Sequence, residues 1–224
     1  MAFQKKDFIE IEFTGRVKEG DIFDSNIKKD LEKLHAGHSH AIETKPLIFC
    51  LGEGMFLKAI DDFLIGKPET SASYNIELTS DKAFGKRMPQ LVQPIPMKVF
   101  KNSNVNPVPG AMFNFDGKIA KILSVSGGRV MVDFNNPLAG KTVVYDINVL
   151  GKIDNLNEKI KSFIEFLFRK ELKFSIENEK IVIEAEKEMV KFIEMFAGKF
   201  KEIFDLDLEV RETENKKENQ ASVA

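Results

Sequence analysis

Ile9, Ile11 and Phe13 alternate with Glu10 and Glu12, the period of two expected of a strand with one face on a core. A Glu-Gly turn at Glu19 and Gly20 follows, and Ile22 to Ser25 resumes an extended edge before a charged helical stretch, Ile27 to Leu34. His35 to Thr44 is polar and reads as loop. Leu47 to Leu51 is a short apolar strand. Phe56, Ile60, Phe63 and Leu64 recur at helical spacing until Gly66 and Pro68 stop the helix, and Ser73 to Leu78 alternates again.

From Pro89 the texture changes. Pro94, Pro96, Pro107 and Pro109 punctuate short apolar pieces, and Asp116-Gly117 and Gly127-Gly128 are turn signals between strands. Val143 to Leu150 is a long β run that needs partners laid down earlier, so 89–132 reads as a small β-rich lobe inserted between two strands of one sheet. A third unit begins beyond Ile153. Asn155 with Glu158 makes a capping-box signature, and Leu156, Ile160, Phe163, Ile164 and Leu167 form a helical stripe. Leu172, Phe174 and Ile176, then Ile181 and Ile183, alternate around a turn at Glu177 to Lys180. Met189, Phe192, Ile193, Phe196, Phe200 and Ile203 mark a second amphipathic helix, and Leu206 to Val210 a last strand, giving the order α-β-β-α-β for 154–211. The polar segment 212–224 reads as a disordered tail.

With 224 residues the chain can form one large domain or two to three small units. Its 43% hydrophobic residues and net charge of −2 describe a soluble, globular chain without the clustered basic surface that nucleic acid requires. No run approaches the ~20 apolar residues of a membrane span, and the first ten residues lack a signal-length apolar run. These features predict a cytoplasmic protein with neither nucleic-acid nor membrane partners. The single Cys50, flanked by Phe49 and Leu51, suits a reducing compartment and reads as a buried strand residue.

Three motifs stand in order: Phe13-Thr-Gly-Arg-Val-Lys-Glu-Gly-Asp-Ile-Phe-Asp-Ser-Asn, Leu51-Gly-Glu-Gly-Met-Phe-Leu-Lys-Ala-Ile, and Ala83-Phe-Gly. Together they resemble the signature of FKBP-type peptidyl-prolyl cis/trans isomerases. Leu91-Val-Gln-Pro-Ile-Pro and Asn135-Asn-Pro-Leu-Ala-Gly add a likeness to the longer, SlyD-like subgroup, over roughly residues 5 to 153. The resemblance implies an α+β fold: an antiparallel half-barrel with one short helix in 1–88 and 133–153, a chaperone-like lobe inserted in the flap at 89–132, and a C-terminal extension of the kind carried by some long archaeal members. No cofactor is implied. Because every motif and the closing strand precede Ile153, the isomerase body is expected to fold and act without the C-terminal unit.

The resemblance further implies a cup of Phe13, Phe23, Asp24, Leu47, Met55, Phe56, Ile60, Phe84, Leu138 and Tyr145, with the Met55 and Phe56 backbone N–H groups binding the peptide. Asp24 is the polar member, placed to orient the rim or meet the substrate carbonyl; as a plain residue it would be a turn or helix cap. Ile60 stands where shorter members carry tryptophan, Phe13 and Phe84 where tyrosines are familiar, and Asn136 where the subgroup commonly has histidine. In the lobe, Leu91, Ile95, Met97, Val99, Phe100, Met112 and Phe113 are more apolar residues than so small a unit can bury, so a subset is expected to bind unfolded clients. Partners are then unfolded or proline-containing polypeptides.

Three smaller readings complete the picture. His35, His38 and His40 could hold a transition ion, but they lack accompanying Cys or carboxylates and read as a solvated loop. The chain ends Glu218-Asn-Gln-Ala-Ser-Val-Ala, without the Cys/His-rich tail of bacterial members. Phe163, Phe166, Phe168, Phe192, Phe196 and Phe200 suit either a compact core or a homodimer surface in the C-terminal unit. The alternatives to the enzyme are a non-catalytic holdase with a degenerate pocket and a weak metal-binding protein acting through the His35, His38 and His40 loop.

Overall fold

The computed structural model describes residues 1–34, 44–115 and 117–213. In the first part, β1 (Phe8–Val17), β2 (Ile22–Ser25), α1 (Lys28–Leu34), β3 (Leu47–Cys50), α2 (Lys58–Leu64) and β4 (Ala72–Leu78) follow one another. The middle holds β5 (Val92–Pro96), α3 (Met97–Asn102), β6 (Met112–Phe115), β7 (Lys118–Ser126) and β8 (Arg129–Asp133), and β9 (Val143–Ile153) then returns to the first part. Last come α4 (Leu156–Phe168), β10 (Phe174–Glu177), β11 (Lys180–Ala185), α5 (Lys187–Glu194), α6 (Ala197–Phe204) and β12 (Asp207–Glu212).

Strand β1 is long because its alternation runs unbroken, and it organises an antiparallel half-barrel in the order β2-β1-β9-β4. One edge of β1 carries β2 beside Thr14 and Gly15 and β3 beside Phe8 to Ile11, while β9 runs the full length of the other. Ile9, Ile11 and Phe13 all point to one core, where Ile60 and Leu64 of α2 meet Ile76, Leu78, Val143, Tyr145, Ile147 and Val149. The helix is shorter than the sequence spacing suggests. Leu57 is extended at φ −65 and ψ 127, so Phe56 lies in the loop before α2 and not on it. That loop position lets Phe56 face the pocket.

The inserted lobe is a four-stranded sheet in the order β5-β8-β7-β6. Gly127 and Gly128, at φ 56 and 74, turn one of its hairpins. Helix α3 was not legible in the sequence, since six residues cannot express a 3.6-residue period between two prolines. It turns Phe100 into a core of Ala120, Ile122, Val130 and Val132.

Asn155 caps α4 as the sequence predicts, its Oδ1 accepting the Asn157 and Glu158 N–H groups at 2.9 and 3.2 Å. Asn178 and Glu179, both left-handed at φ 49 and 61, make the tight β10–β11 turn. The single second helix expected here is instead two, α5 and α6, separated at Met195 and Phe196. Phe196 leaves helical geometry at φ −93 and ψ 2, and Gly198 weakens the first turn after the break. Strand β12 pairs in parallel with β11, which places β11 in the centre and requires the helix pair as crossover.

Phe8 of β1 and Cys50 of β3 belong to the same buried cluster as Ile160, Phe163, Ile164, Ile181, Ile183, Ile193 and Phe200 of this last unit. The Phe8 and Phe204 rings stack at 5.7 Å. Strand β3 and the Phe8 end of β1 are therefore covered on both faces.

Candidate functional site

The site begins with an irregularity in β1. Its register against β2 shifts between Gly15 and Arg16, and beyond the last pair, Thr14 with Ser25, side chains take over from the ladder. Asn26 Oδ1 accepts the Phe13 N–H at 2.7 Å while its Nδ2 donates to the Ile11 carbonyl at 2.9 Å. Ser25 Oγ donates to the Phe13 carbonyl at 2.9 Å, and Thr14 Oγ1 donates to Asp30 of α1 at 2.8 Å. Phe13 is thus held from both sides. A side chain at Gly15 would lie 2.8 Å from the Phe23 ring and 2.9 Å from that of Tyr145, so only glycine lets these two rings close over β1.

The aromatic members meet edge to face. Phe13 and Phe56 centroids are 4.9 Å apart, Phe56 and Tyr145 5.7 Å, Phe23 and Tyr145 5.7 Å, and Phe23 and Phe84 5.6 Å. Ile60 is fully buried beneath them, and Leu47 and Met55 pack on the same cluster half-buried. Leu138 is half-buried but not packed on this cluster. It sits on the loop after the lobe, which the Gly140 N–H ties to the Gly85 carbonyl at 2.8 Å, beside Phe84.

Asp24 lies at the rim, exposed, and partial burial among the rings raises its carboxyl above the ordinary aspartate range against a hydrogen bond from the Ser25 backbone. The Tyr145 phenol is raised too, by burial first and by the Asp24 charge second, so the two groups share one low-dielectric corner.

The loop from Leu51 to Phe56 faces this corner. Neither the Met55 nor the Phe56 N–H has an acceptor among the described residues. Asp61, on the α2 turn below, holds the loop's start: its Oδ2 accepts the Gly52 N–H at 3.0 Å, and its Oδ1 is buried with no partner within hydrogen-bond distance among the described residues. Burial pushes the Asp61 carboxyl up to about 6, against hydrogen bonds from Gly52 and Gly54. Sequence reading missed Asp61, because an Asp-Asp pair on a short helix carries no signal of which carboxylate turns inward. Cys50 is buried, and burial pushes its thiol up to about 12, an inert structural residue.

Polar staples join lobe and half-barrel. Asn135 Oδ1 accepts the Met88 N–H at 2.8 Å while Nδ2 donates to the Met88 carbonyl at 3.0 Å, closing both connections against each other. Arg87 donates to Asp133 at 2.7 Å. Burial works to raise the Asp133 carboxyl, but the Asn135 and Arg87 hydrogen bonds outweigh it and hold the group low.

Of the residues expected to meet clients, Phe100 is 2% exposed and is the lobe's own core, with Ile95, Met97 and Phe113 packed against it. Leu91 is half-buried at the lobe's entry. Val99 and Met112 are 46% exposed. Ile119 at 61% and Leu123 at 39% join Met112 on the open face of β6 and β7, and sequence reading missed both. Apolar residues alternate onto both faces of β7, which hides the outer set from a period-two reading. In the C-terminal unit Phe163 and Phe200 are core and Phe168 nearly so, while Phe192 and Met195 are exposed. His35, His38 and His40 lie outside the described residues, as does most of the tail.

A half-barrel packed on a short helix, with an aromatic cluster, a carboxylate at its rim and a small sheet inserted between β4 and β9, is consistent with an FKBP-like fold. The chain is similar to the "Short-type peptidyl-prolyl cis-trans isomerase" of Methanocaldococcus jannaschii, 27% identical over 146 residues that cover 65% of this chain and 91% of that protein. It is 35% identical over 112 residues to the "FKBP-type 16 kDa peptidyl-prolyl cis-trans isomerase" of Escherichia coli K12, covering 47% of this chain and 73% of the relative. A Helicobacter pylori "FKBP-type peptidyl-prolyl cis-trans isomerase SlyD" is 27% identical over 143 residues, 62% of this chain and 69% of that one. The family described as "FKBP26, IF domain" matches residues 93–138. This chain belongs to the FKBP-type peptidyl-prolyl cis-trans isomerase family. Among the described residues no helix is long and apolar enough to cross a membrane.

Proposed function

We propose that the chain catalyses cis/trans isomerisation of prolyl bonds in folding polypeptides, in the cup of Phe13, Phe23, Asp24, Phe56, Ile60, Phe84 and Tyr145, as a long SlyD-like member with a C-terminal extension. The observation that carries this is the edge-to-face closure of these rings around one corner that also holds a carboxylate and two N–H groups without an acceptor among the described residues. The planar amide is held by resonance, with a barrier of about 18–20 kcal/mol. A water-excluding aromatic cup favours the twisted amide, whose charge separation is smaller, and the Met55 and Phe56 N–H groups fix the chain around it. Asp24 orients the rim through Tyr145 or meets the polarised carbonyl carbon. A thousandfold acceleration needs only about 4 kcal/mol of differential stabilisation, and neither nucleophile nor cofactor is required.

In this reading 1–88 with 133–153 is the catalytic body, 89–132 the client-holding lobe and 154–211 the extension. The open face bearing Met112, Ile119 and Leu123 supports client capture, since exposed apolar residues clustered on one sheet are otherwise unfavourable. Exposed Phe192 and Met195 favour self-association through the extension. Turnover of a short proline peptide, followed as its cis-to-trans rate, tests the central statement. Asp24→Ala should lower kcat/KM about tenfold or more in a folded protein. Turnover equal to the parent's would remove Asp24 from the site, and a parent without turnover would leave only the holdase reading.

A further inference from the structure

Beside the cup, between the half-barrel and the C-terminal unit, lies a cleft of about 390 Å³ that no motif marks. One wall is Lys45 to Phe49 with Met55, and the other is a single face of α4, Glu158, Lys161, Ser162, Glu165 and Phe166, continued by Arg169 at its C-cap. That face is distinct from the one α4 buries, which carries Ile160, Phe163, Ile164 and Phe168. Two features tie the cleft to the cup. Leu47, Phe49 and Met55 line the cleft and also pack in the cup's cluster, and Met55 is shared with the C-terminal cluster as well.

The strand wall also offers backbone. The Leu51 N–H bonds to the Asp7 carbonyl at 2.9 Å, which fixes the alternation of the β1–β3 ladder. Leu47 and Phe49 exchange bonds with β1, so the Ile48 N–H and C=O point to the edge that borders the cleft. An extended chain can pair with such an edge while its side chains enter pockets on either side. The helical wall runs from Glu158 to Arg169, eleven steps of ~1.5 Å or roughly 16 Å, which is about five residues of extended chain. The cleft's apolar lining comes from Leu47, Ile48, Phe49, Met55 and Phe166, the rest of the helical wall is polar, and the Arg169 guanidinium lies over the Phe166 ring at 5.3 Å. The Lys45–Glu165 pair, at 2.7 Å, links the walls without filling the space between them.

We propose that this cleft binds the stretch of client polypeptide next to the proline held in the cup, so that the C-terminal unit contributes half of an extended substrate site. This rests on the prolyl-isomerase reading of the cup. Continuity through Met55 and Leu47 names the occupant, because these residues border both the cup and the cleft, so an arm of a chain held in the cup can run into it, and the length matches an extended peptide. The site prefers long substrates with an apolar residue a few positions from the proline.

The test compares, in the full-length protein, a four-residue proline peptide with the same peptide lengthened by about five residues on either side with an apolar residue in each arm. The parent should favour the long peptide about tenfold in kcat/KM, mostly through KM, since these contacts bind ground and transition states alike. Ser162→Trp, which fills the cleft, and the exposed Arg169→Glu should each pull that ratio severalfold toward one. Should Ser162→Trp not fold, Arg169→Glu with Phe166→Ala reads the same quantity. A parent without length preference, or variants that keep it, overturns the proposal. A ratio unchanged while sedimentation shifts would assign the cleft to a second copy of the chain and overturns it equally. Absence of turnover on the short peptide is a separate result that removes the isomerase reading, and the cleft's role with it.

Discussion

The inserted lobe and the C-terminal unit are both additions to one half-barrel, yet they are attached by opposite physics. The lobe's buried cluster of Phe100, Ala120, Ile122, Val130 and Val132 contains no half-barrel residue, Phe134 at the exit connection is the one residue of 133–153 among those packed against it, and the polar junction is made by Asn135, Arg87 and Asp133. The C-terminal cluster includes Phe8 and Cys50, with Ile48, Met55 and Ile153 packed against it. Hydrogen bonds at a surface junction are worth about 0.5–1.5 kcal/mol each and can be exchanged for water, whereas shared apolar burial is lost outright when one side leaves. The lobe can be removed or reoriented. The C-terminal unit cannot be removed without exposing the body's outer face.

The largest expected effect comes from that contrast. Although the motifs all precede Ile153, a chain ended there exposes Phe8, Ile48 and Cys50 together, a loss on the order of 5 kcal/mol against total stabilities of about 5–15. It should unfold well below the parent's midpoint or be insoluble, as thermal denaturation would report. A truncated chain as stable as the parent would mean that the shared cluster contributes little, and the comparison would collapse.

Replacing 89–132 by a short Gly-containing loop should, by contrast, leave a folded body that still turns over a short proline peptide. Catalysis of a proline-limited protein refolding reaction should fall about tenfold or more, because a tethered client gains effective concentration near the cup. The ratio of refolding to peptide rate constants reads this, and a ratio equal to the parent's would end the client-holding role. Met112→Ser with Ile119→Ser and Leu123→Ser on the open face should act in the same direction, whereas a polar residue at Phe100 should unfold the lobe.

The smallest effect sharpens the comparison from inside the body. Asp61 has its pKa raised in the fold, so the native state binds a proton more readily than the unfolded chain. Stability should therefore be highest below about pH 4 as far as this group is concerned, and fall as pH rises from there to about 6, by on the order of 2–3 kcal/mol. Asp61→Asn keeps an acceptor for Gly52 and cannot ionise, so it should flatten that decline. Urea denaturation at pH 4.5 and 7 measures it, and equal slopes in variant and parent would show that Asp61 is solvated.

Much of this molecule was written locally. Strand β1, the hairpin turns, the Asn155 cap and the ordered motifs with Phe13, Phe56 and Phe84 were readable because alternation, left-handed turn positions and capping side chains act over a few residues. What was not readable needed a second element in place. Which face of β7 is outside depends on where Phe100 of α3 turns, and which of two adjacent aspartates is buried depends on the loop above α2. That Gly15 must lack a side chain is decided by Phe23 and Tyr145 closing over it. That Phe8 has a core of its own is decided by a unit some 150 residues further on, since a strand's pattern records only that a side chain is apolar and leaves open which neighbour will exclude the water from it.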